Sequence, residues 1–272
     1  MLSLFNKKRI PAPSPIPADI LCPICESSKH MVLECGKTPF VTGASKTLPE
    51  VRNCRKFQCS TCGHIWTPWL NQDLGNVSAI YDGIFQESSN ESIDVNFRSA
   101  YQLELLTLAF AETGGKKPCL DFGCGPNFSV TQLLNKLGLP AYCCDISNHY
   151  PYDGKTFFRH SYDTRWTHQF GGIASVDVIE HLGNTVETWR YFNQILQPEG
   201  VMYHIFPTTL HYDLRHHYVT NAFHLCIFSE QSLTLLCEKT GFEFCGMVPS
   251  IISSSDPTLQ NIFHFKKKHS LT

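Results

Sequence analysis

The sequence predicts an α/β fold: a parallel sheet with helices on both faces, preceded by a small cysteine-stapled domain. Three observations lead there. From Phe97 onward, short strand-like and helix-like stretches alternate, the pattern of a parallel sheet covered on both sides. Two CxxC pairs, CPIC at Cys22 and Cys25 and CSTC at Cys59 and Cys62, stand near the amino terminus with 33 residues between them. Between the first strand and the helix after it, CLDFGCG at residues 119–125 brings two glycines to the strand end.

Composition narrows the function classes. The 272 residues are 42% hydrophobic and 12% aromatic, enough for a packed core. Lys plus Arg total 22 against 24 for Asp plus Glu, which argues against a general nucleic-acid partner. Residues 1–20 carry a basic cluster and four prolines but no apolar run of signal-peptide type. No stretch approaches the roughly 18 apolar residues of a membrane span, so the expectation is a cytoplasmic protein with no membrane contact. In a reducing compartment thirteen cysteines point to thiols and metal ligation rather than disulfides.

Each CxxC turn can offer two thiolates to one ion, so Cys22, Cys25, Cys59 and Cys62 are expected to form a tetrahedral zinc site. Cys35, Cys54 and His64 are alternative ligands. Strand-like MVLECGKTPFV and the Phe57–Gln58 entry lie between the knuckles, giving a zinc ribbon over residues 20–70. A unit of that size has little core, so the metal's role is stability. Residues 1–19 form a flexible segment, 71–96 a polar linker, and 97–272 the larger domain.

That larger domain reads in order as follows. FRSAYQLELLTLAFAET has helical spacing and stops at Gly114 and Gly115. PCLDF is a buried strand, NFSVTQLLNKLG a helix, AYCCDI a second strand with a terminal acid, and TFFRHSY a third. GIASVDVIE is a fourth strand, TVETWRYFNQILQ a helix, and GVMYHIF a fifth strand. SEQSLTLLCEKTG is a helix capped by Ser229 with Glu230 in its first turn, and FEFCGMV and NIFHFKKK close the domain as strands. The KKKH run at 266–269 reads as a solvated tail.

In such a sheet the ligand sits beyond the carboxyl ends of the strands. Gly123 and Gly125 let it approach the backbone, Asp121 can accept from an ammonium, and Asp145, twenty residues after Gly125, can accept from ribose hydroxyls. A dinucleotide site wants a third glycine close to where this chain has Phe128. A ligand with an amine and a ribose but no phosphate fits better, namely S-adenosyl-L-methionine. Cys124 reads as a small packing residue rather than a nucleophile.

LDFGCGP, YCCDIS, SVDVIEHL, LQPEGVMYHIFP and FHLCIFSEQSLTLLCEKTGFE stand in the order of five motifs of the class I S-adenosylmethionine-dependent methyltransferases, which residues 97–272 resemble. With the ribbon, the chain is similar to a bacterial group of zinc-ribbon methyltransferases and, less closely, to deoxysugar C-methyltransferases, whose further carboxyl-terminal domain is not expected within these residues. The resemblance implies a seven-stranded, mostly parallel Rossmann-like sheet. It also implies a cofactor set of Asp121, Phe122, Gly123, Cys124, Gly125, Asp145, Ile146 and Asp163, with Asp121, Gly123 and Gly125 at the methionine portion. Asp145 and Ile146 then face the ribose and adenine, and Asp163 the adenine amine.

Methyl transfer from a sulfonium asks the protein to position the nucleophile and, for a hydroxyl, to remove its proton. His181, after the fourth strand, is the expected base, with Glu180 beside it. Asp177, Glu180, His181 and the distant His224 also resemble the divalent-metal set of ubiquinone-pathway and small-RNA terminal O-methyltransferases, with Asp in place of the first Glu. A second divalent metal there is therefore an alternative to the base. HYDLRHHY at 211–218 reads as a substrate wall in which His216 and His217 meet a polar acceptor and His211 is exposed; Tyr150, Trp166 and Trp189 read as core or rim. The expected function is methylation of a small polar acceptor at oxygen, or at carbon of a sugar-like one. An RNA-end or nucleoside methyltransferase and a non-catalytic scaffold are the alternatives.

Overall fold

A computed structural model describes residues 20–34, 55–67, 92–125, 128–146, 152–159, 166–220 and 224–268. The ribbon contributes strands β1 (His30–Glu34), β2 (Arg55–Cys59) and β3 (Ile65–Trp66). Helix α1 (Ser92–Glu112) precedes β4 (Cys119–Phe122), α2 (Ser129–Lys136), β5 (Ala141–Asp145) and β6 (Phe157–Arg159). Next come β7 (Phe170–Val176), α3 (Thr185–Ile195), β8 (Leu196–Ile205), α4 (His217–Thr220) and β9 (Cys226–Ile227). The chain ends in α5 (Glu230–Thr240), β10 (Phe242–Pro249) and β11 (Asn261–Lys267).

Seven strands form the main sheet in the order β10-β11-β8-β7-β4-β5-β6. β4 pairs in parallel with β5 on one side and β7 on the other, and β11 and β10 add an antiparallel edge. The chain therefore moves outward from β4 through β5 and β6 and then returns to β4's other side, which makes the carboxyl ends of β4 and β7 the topological switch point.

Alternation along each strand sorts the core into two layers. Leu120, Phe122, Ile173, Met202, Phe263 and Phe265 share one cluster with Trp189, Phe192 and Leu236 of α3 and α5. Cys119, Ala174, Val201, Tyr203 and Ile262 share the other with Tyr101, Leu105 and Ala109 of α1 and with Val130 and Leu134 of α2. The ribbon is continuous with the first layer: Cys22, Phe57, Cys59, Cys62 and Trp66 belong to the same cluster as Trp189 and Phe228.

Helix α5 carries the reciprocal cap its sequence suggests, Ser232 N–H donating to Ser229 Oγ and Ser229 N–H to Ser232 Oγ, and it ends at Gly241 with a φ of 79°. Helix α1 starts at Ser92, five residues before the expected Phe97. Two other expectations are corrected. The fourth strand stops at Val176 rather than Glu180, because Asp177 adopts a φ of 52° and the chain turns into a 3-10 helix over Ile179–His181. Lys267 is not in a solvated tail: it is buried at the end of β11, and its ammonium donates to the carbonyls of Asn193 at 2.5 Å and Leu196 at 2.8 Å. As expected, Trp189 and Trp166 are buried in the core, while Tyr150 lies outside the described residues. Among the described residues no helix is long and apolar enough to cross a membrane.

Close approach of α1 to the sheet depends on Gly172. A Cβ there would stand 2.7 Å from Ala109 Cβ and 3.1 Å from Cys119 Sγ, both rigidly held. Gly172→Ala should lower the unfolding free energy by about 1–3 kcal/mol, read as a lower urea midpoint at unchanged slope; an unchanged midpoint would contradict this packing.

Candidate active site

Two loops meet at the switch point, one after β4 and one after β7. The first is pinned from three sides. The amides of Gly123 and Cys124 both donate to Cys144 O of β5, at 2.9 and 3.1 Å, and Gln102 Nε2 of α1 donates to Cys124 O at 3.0 Å. Gly125 N–H donates to Asp145 Oδ2 at 2.8 Å, so the strand-tip acid ties the turn to β5. Gly123 and Gly125 have φ of 75° and 65°, the region where a side chain is strained. A Cβ on Gly123 would also fall 2.5 Å from Val178 Cγ2. The bare backbone at Gly123 therefore lets the two loops touch, a reason that ligand approach alone does not supply.

Asp121 lies at the carboxyl end of β4, 1% exposed, and its Oδ2 has no hydrogen-bond partner among the described residues. Burial, and then the charge of Asp145, push its carboxyl up to about 8. A carboxylate so placed lacks the donor that would make its ionised form favourable. Ile146, just beyond β5, is 44% exposed and faces outward. Phe122 packs edge-on against Phe192 in the core, and Cys124 is buried with Cys143 and Phe157, leaving their main chain alone to face a ligand. Asp163 lies outside the described residues.

The loop after β7 carries the second group. Glu180, His181 and His224 come together with one ligand atom from each within 4.8 Å of the others. His181 Nε2 is 3.9 Å from Glu180 Oε1, and the His181 and His224 rings meet edge to face at 4.9 Å. His224 Nδ1 lies 2.7 Å from Tyr218 O; since a carbonyl only accepts, the proton sits on Nδ1 and the Nε2 lone pair is left toward the cluster. Burial, then the neighbouring His181, hold His224 well below the ordinary imidazole value and thus neutral. Glu180 is 1% exposed with no partner for Oε2 among the described residues, and burial followed by the charge of Asp177 pushes its carboxyl well up. Asp177 does not join the cluster as expected. Its positive φ turns it toward α1, where it lies 3.5 Å from Arg98.

The expected substrate wall is more internal than its sequence suggests. His216 stacks on Tyr212 at 4.0 Å and is half-buried, His217 is exposed, and Tyr218 stacks parallel to His224 at 5.7 Å. His211 is partly buried rather than exposed, with its Nδ1 3.4 Å from Thr208 Oγ1 and its basicity lowered by burial. The hydroxyls of Tyr212 and Tyr218 both donate to Asp256, which ties the insertion to the turn before β11. Asp256, Arg98 and Gln102 carry no sequence motif; they were missed because their partners are distant in the chain.

At the ribbon, Cys22, Cys25, Cys59 and Cys62 converge, with Cys22 Sγ 3.6 Å from Cys62 Sγ and Cys25 Sγ 3.4 Å from Cys59 Sγ. A tetrahedral ion with metal–sulfur bonds of about 2.3 Å would space its ligands by about 3.8 Å, so the four thiols fit one ion. Thr61 N–H pointing at Cys59 Sγ, 3.4 Å away, and the positive φ of Glu26 and Gly63 complete the two knuckles. His64 is no ligand here: it is fully buried, 5.1 Å from Phe228 and stacked on Trp66, and burial lowers it to about 3. Cys35 and Cys54 lie outside the described residues.

A sheet in this order, with a glycine turn and a strand-tip acid at the switch point, is the class I methyltransferase architecture. A family model described as a methyltransferase domain matches residues 96–245, and the chain belongs to that family. No curated protein matches the sequence. Among solved structures, the 1,6-didemethyltoxoflavin-N1-methyltransferase of Burkholderia thailandensis, with its substrate and S-adenosylhomocysteine bound, is similar at 13% identity and a TM-score of 0.51, covering 76% of this chain and 96% of that one. A chain from the complex of the Haloferax volcanii Trm112 methyltransferase activator is similar at 12% identity and a TM-score of 0.50, covering 68% of this chain and 98% of that one. At these identities the likeness is one of fold.

The buried carboxyl sets a pH signature. The folded state raises Asp121 to about 8 from an ordinary value of about 4, so the ligand-free native protein keeps the proton that the unfolded chain gives up. Its contribution to stability is full at acid pH and falls as pH climbs through that window. Asp121→Asn should therefore gain on the wild type by about 1 kcal/mol per pH unit between roughly pH 5 and 7 in urea unfolding. A difference independent of pH would contradict a desolvated Asp121.

Proposed function

We propose that this chain transfers the methyl group of S-adenosyl-L-methionine to a small polar acceptor, at oxygen, with carbon of a sugar-like acceptor as the alternative. The observation that carries the cofactor assignment is Asp121: a buried carboxylate oxygen without a donor among the described residues, beside a glycine turn and one strand from Asp145. Asp121 would receive the ligand's ammonium, and Asp145 would receive the ribose hydroxyls while keeping the Gly125 amide. The cofactor supplies an electrophilic methyl on sulfur. The chain's own residues hold the acceptor in line and take its proton.

His181 is the proposed base, on the turn leaving β7 next to the strand that carries Asp121. His224, kept neutral by burial and oriented by Tyr218 O, can accept a second hydrogen bond from the acceptor. A second reading, favoured by the convergence of Glu180, His181 and His224, is that these three hold a divalent ion which lowers the pKa of the acceptor hydroxyl. His216 and exposed His217 would line the polar end of the acceptor. At the ribbon we assign zinc, since four thiolates in a closed tetrahedron suit that ion and leave no open position for chemistry. The net charge of −2 weighs against an RNA-end substrate.

Three measurements test this. In calorimetry S-adenosylhomocysteine should bind the wild type and bind Asp145→Ala at least about tenfold more weakly, a loss of about 1.4 kcal/mol; no binding to wild type, or equal binding, would sink the cofactor assignment. Incubation with methyl-labelled S-adenosylmethionine and pooled metabolites should yield a labelled product that His181→Ala forms at least about a hundredfold more slowly. No product from any pool would favour the scaffold. Chelation that silences turnover, with recovery on adding manganese, would select the metal reading over the base. Elemental analysis should find about one zinc per chain, lost in Cys59→Ser; a folded protein without zinc would refute the ribbon assignment.

A further inference from the structure

We propose that the cysteine ribbon, besides stabilising the chain, is a positioning element of the candidate active site, acting through Lys56 and through the pairing of β3 with β9. The proposal rests on the reading of Glu180, His181 and His224 as the acceptor end of that site.

Lys56 projects from β2 and is 1% exposed. Its Nζ donates to Val219 O at 2.5 Å and to His224 O at 2.7 Å. A single ammonium from the ribbon therefore holds both the end of α4 and the main chain of His224. Burying an ammonium is costly unless its hydrogen bonds are satisfied. A methionine would fill the same volume without that cost, so the choice of lysine is accounted for by what its ammonium holds.

A second route reaches the other arm of the cluster. β3 pairs with β9 in the register Ile65↔Ile227 and Trp66↔Cys226, and Thr67 N–H donates to Leu225 O at 3.0 Å. Cys226 Sγ in turn donates to Ile179 O at 3.2 Å, at the first residue of the turn that carries Glu180 and His181. The knuckle itself is tied in by Ser229 Oγ, which donates to Cys62 O at 2.5 Å from the cap of α5. Cys59 ends the strand that bears Lys56, and Cys62 begins the return to β3. The thiol cluster therefore fixes the hairpin whose two strands hold His224 on one side and the Glu180–His181 turn on the other.

The test uses the full chain with its metal, bound to S-adenosylhomocysteine, and follows amide hydrogen exchange by mass spectrometry. In Lys56→Met, exchange over residues 217–228 should accelerate by about tenfold or more, while the zinc content and the S-adenosylhomocysteine affinity stay within about twofold of wild type. In Cys226→Ala the acceleration should appear at residues 179–182. Exchange unchanged at these segments, or accelerated across the whole chain with loss of ligand binding, would overturn the proposal. With an acceptor in hand, Lys56→Met should lower kcat and leave KM for S-adenosylmethionine unmoved; an unmoved kcat would overturn it. The exchange readout does not need turnover, so a wild type that methylates nothing would defeat the proposed function while the coupling is still decided by exchange.

Discussion

The site is organised around one costly feature, a carboxyl group buried at the end of the central parallel strand with no donor for one of its oxygens among the described residues. Asp121 sits between two parallel neighbours, β5 and β7. On the β5 side Cys144 O and Asp145 hold the amides of the glycine turn; on the β7 side Val178 occupies the space a side chain at Gly123 would need. The protein bears the desolvation of Asp121 in the empty state, which is the condition for a cationic ligand to be worth more there than in water.

The second organising feature is the shared sheet of the ribbon. β9 has two residues, and its partner β3 has two, too short a pair to be stable alone. Each is held because the thiol cluster fixes one and α5, capped by Ser229, fixes the other. The ribbon and the methyltransferase domain thus meet through backbone pairing, a common apolar cluster and the buried Lys56. Stability and site geometry become difficult to separate at this junction, because the residues that anchor the ribbon are one or two positions from His224 and the Glu180 turn.

Much of the fold was legible because its signals are local. The glycine stops, the Ser229 cap, the buried runs at Cys119 and Ala141 and the paired CxxC turns each act within a few residues. The acid twenty positions beyond the glycine turn was legible because the intervening helix has a standard length. Where the reading failed, the cause was tertiary. β9 carries no strand signal apart from its partner, Lys267 looks like a tail until two carbonyls capture its ammonium, and His211 looks exposed until the insertion folds inward. Asp177 has a ligand's spacing, but a positive φ, which no local pattern announces, sends it to Arg98. Lys56 and Asp256 act across more than thirty residues of chain, beyond the reach of any motif.

The most direct measurement of the central claim is proton release on ligand binding. S-adenosylhomocysteine would be titrated calorimetrically at neutral pH in two buffers of different ionisation enthalpy. If the ligand's ammonium meets the buried carboxyl of Asp121, which holds its proton up to about 8 in the empty protein, binding should expel close to one proton, roughly, and Asp121→Asn should abolish the release. Equal heats in the two buffers for the wild type would contradict the account.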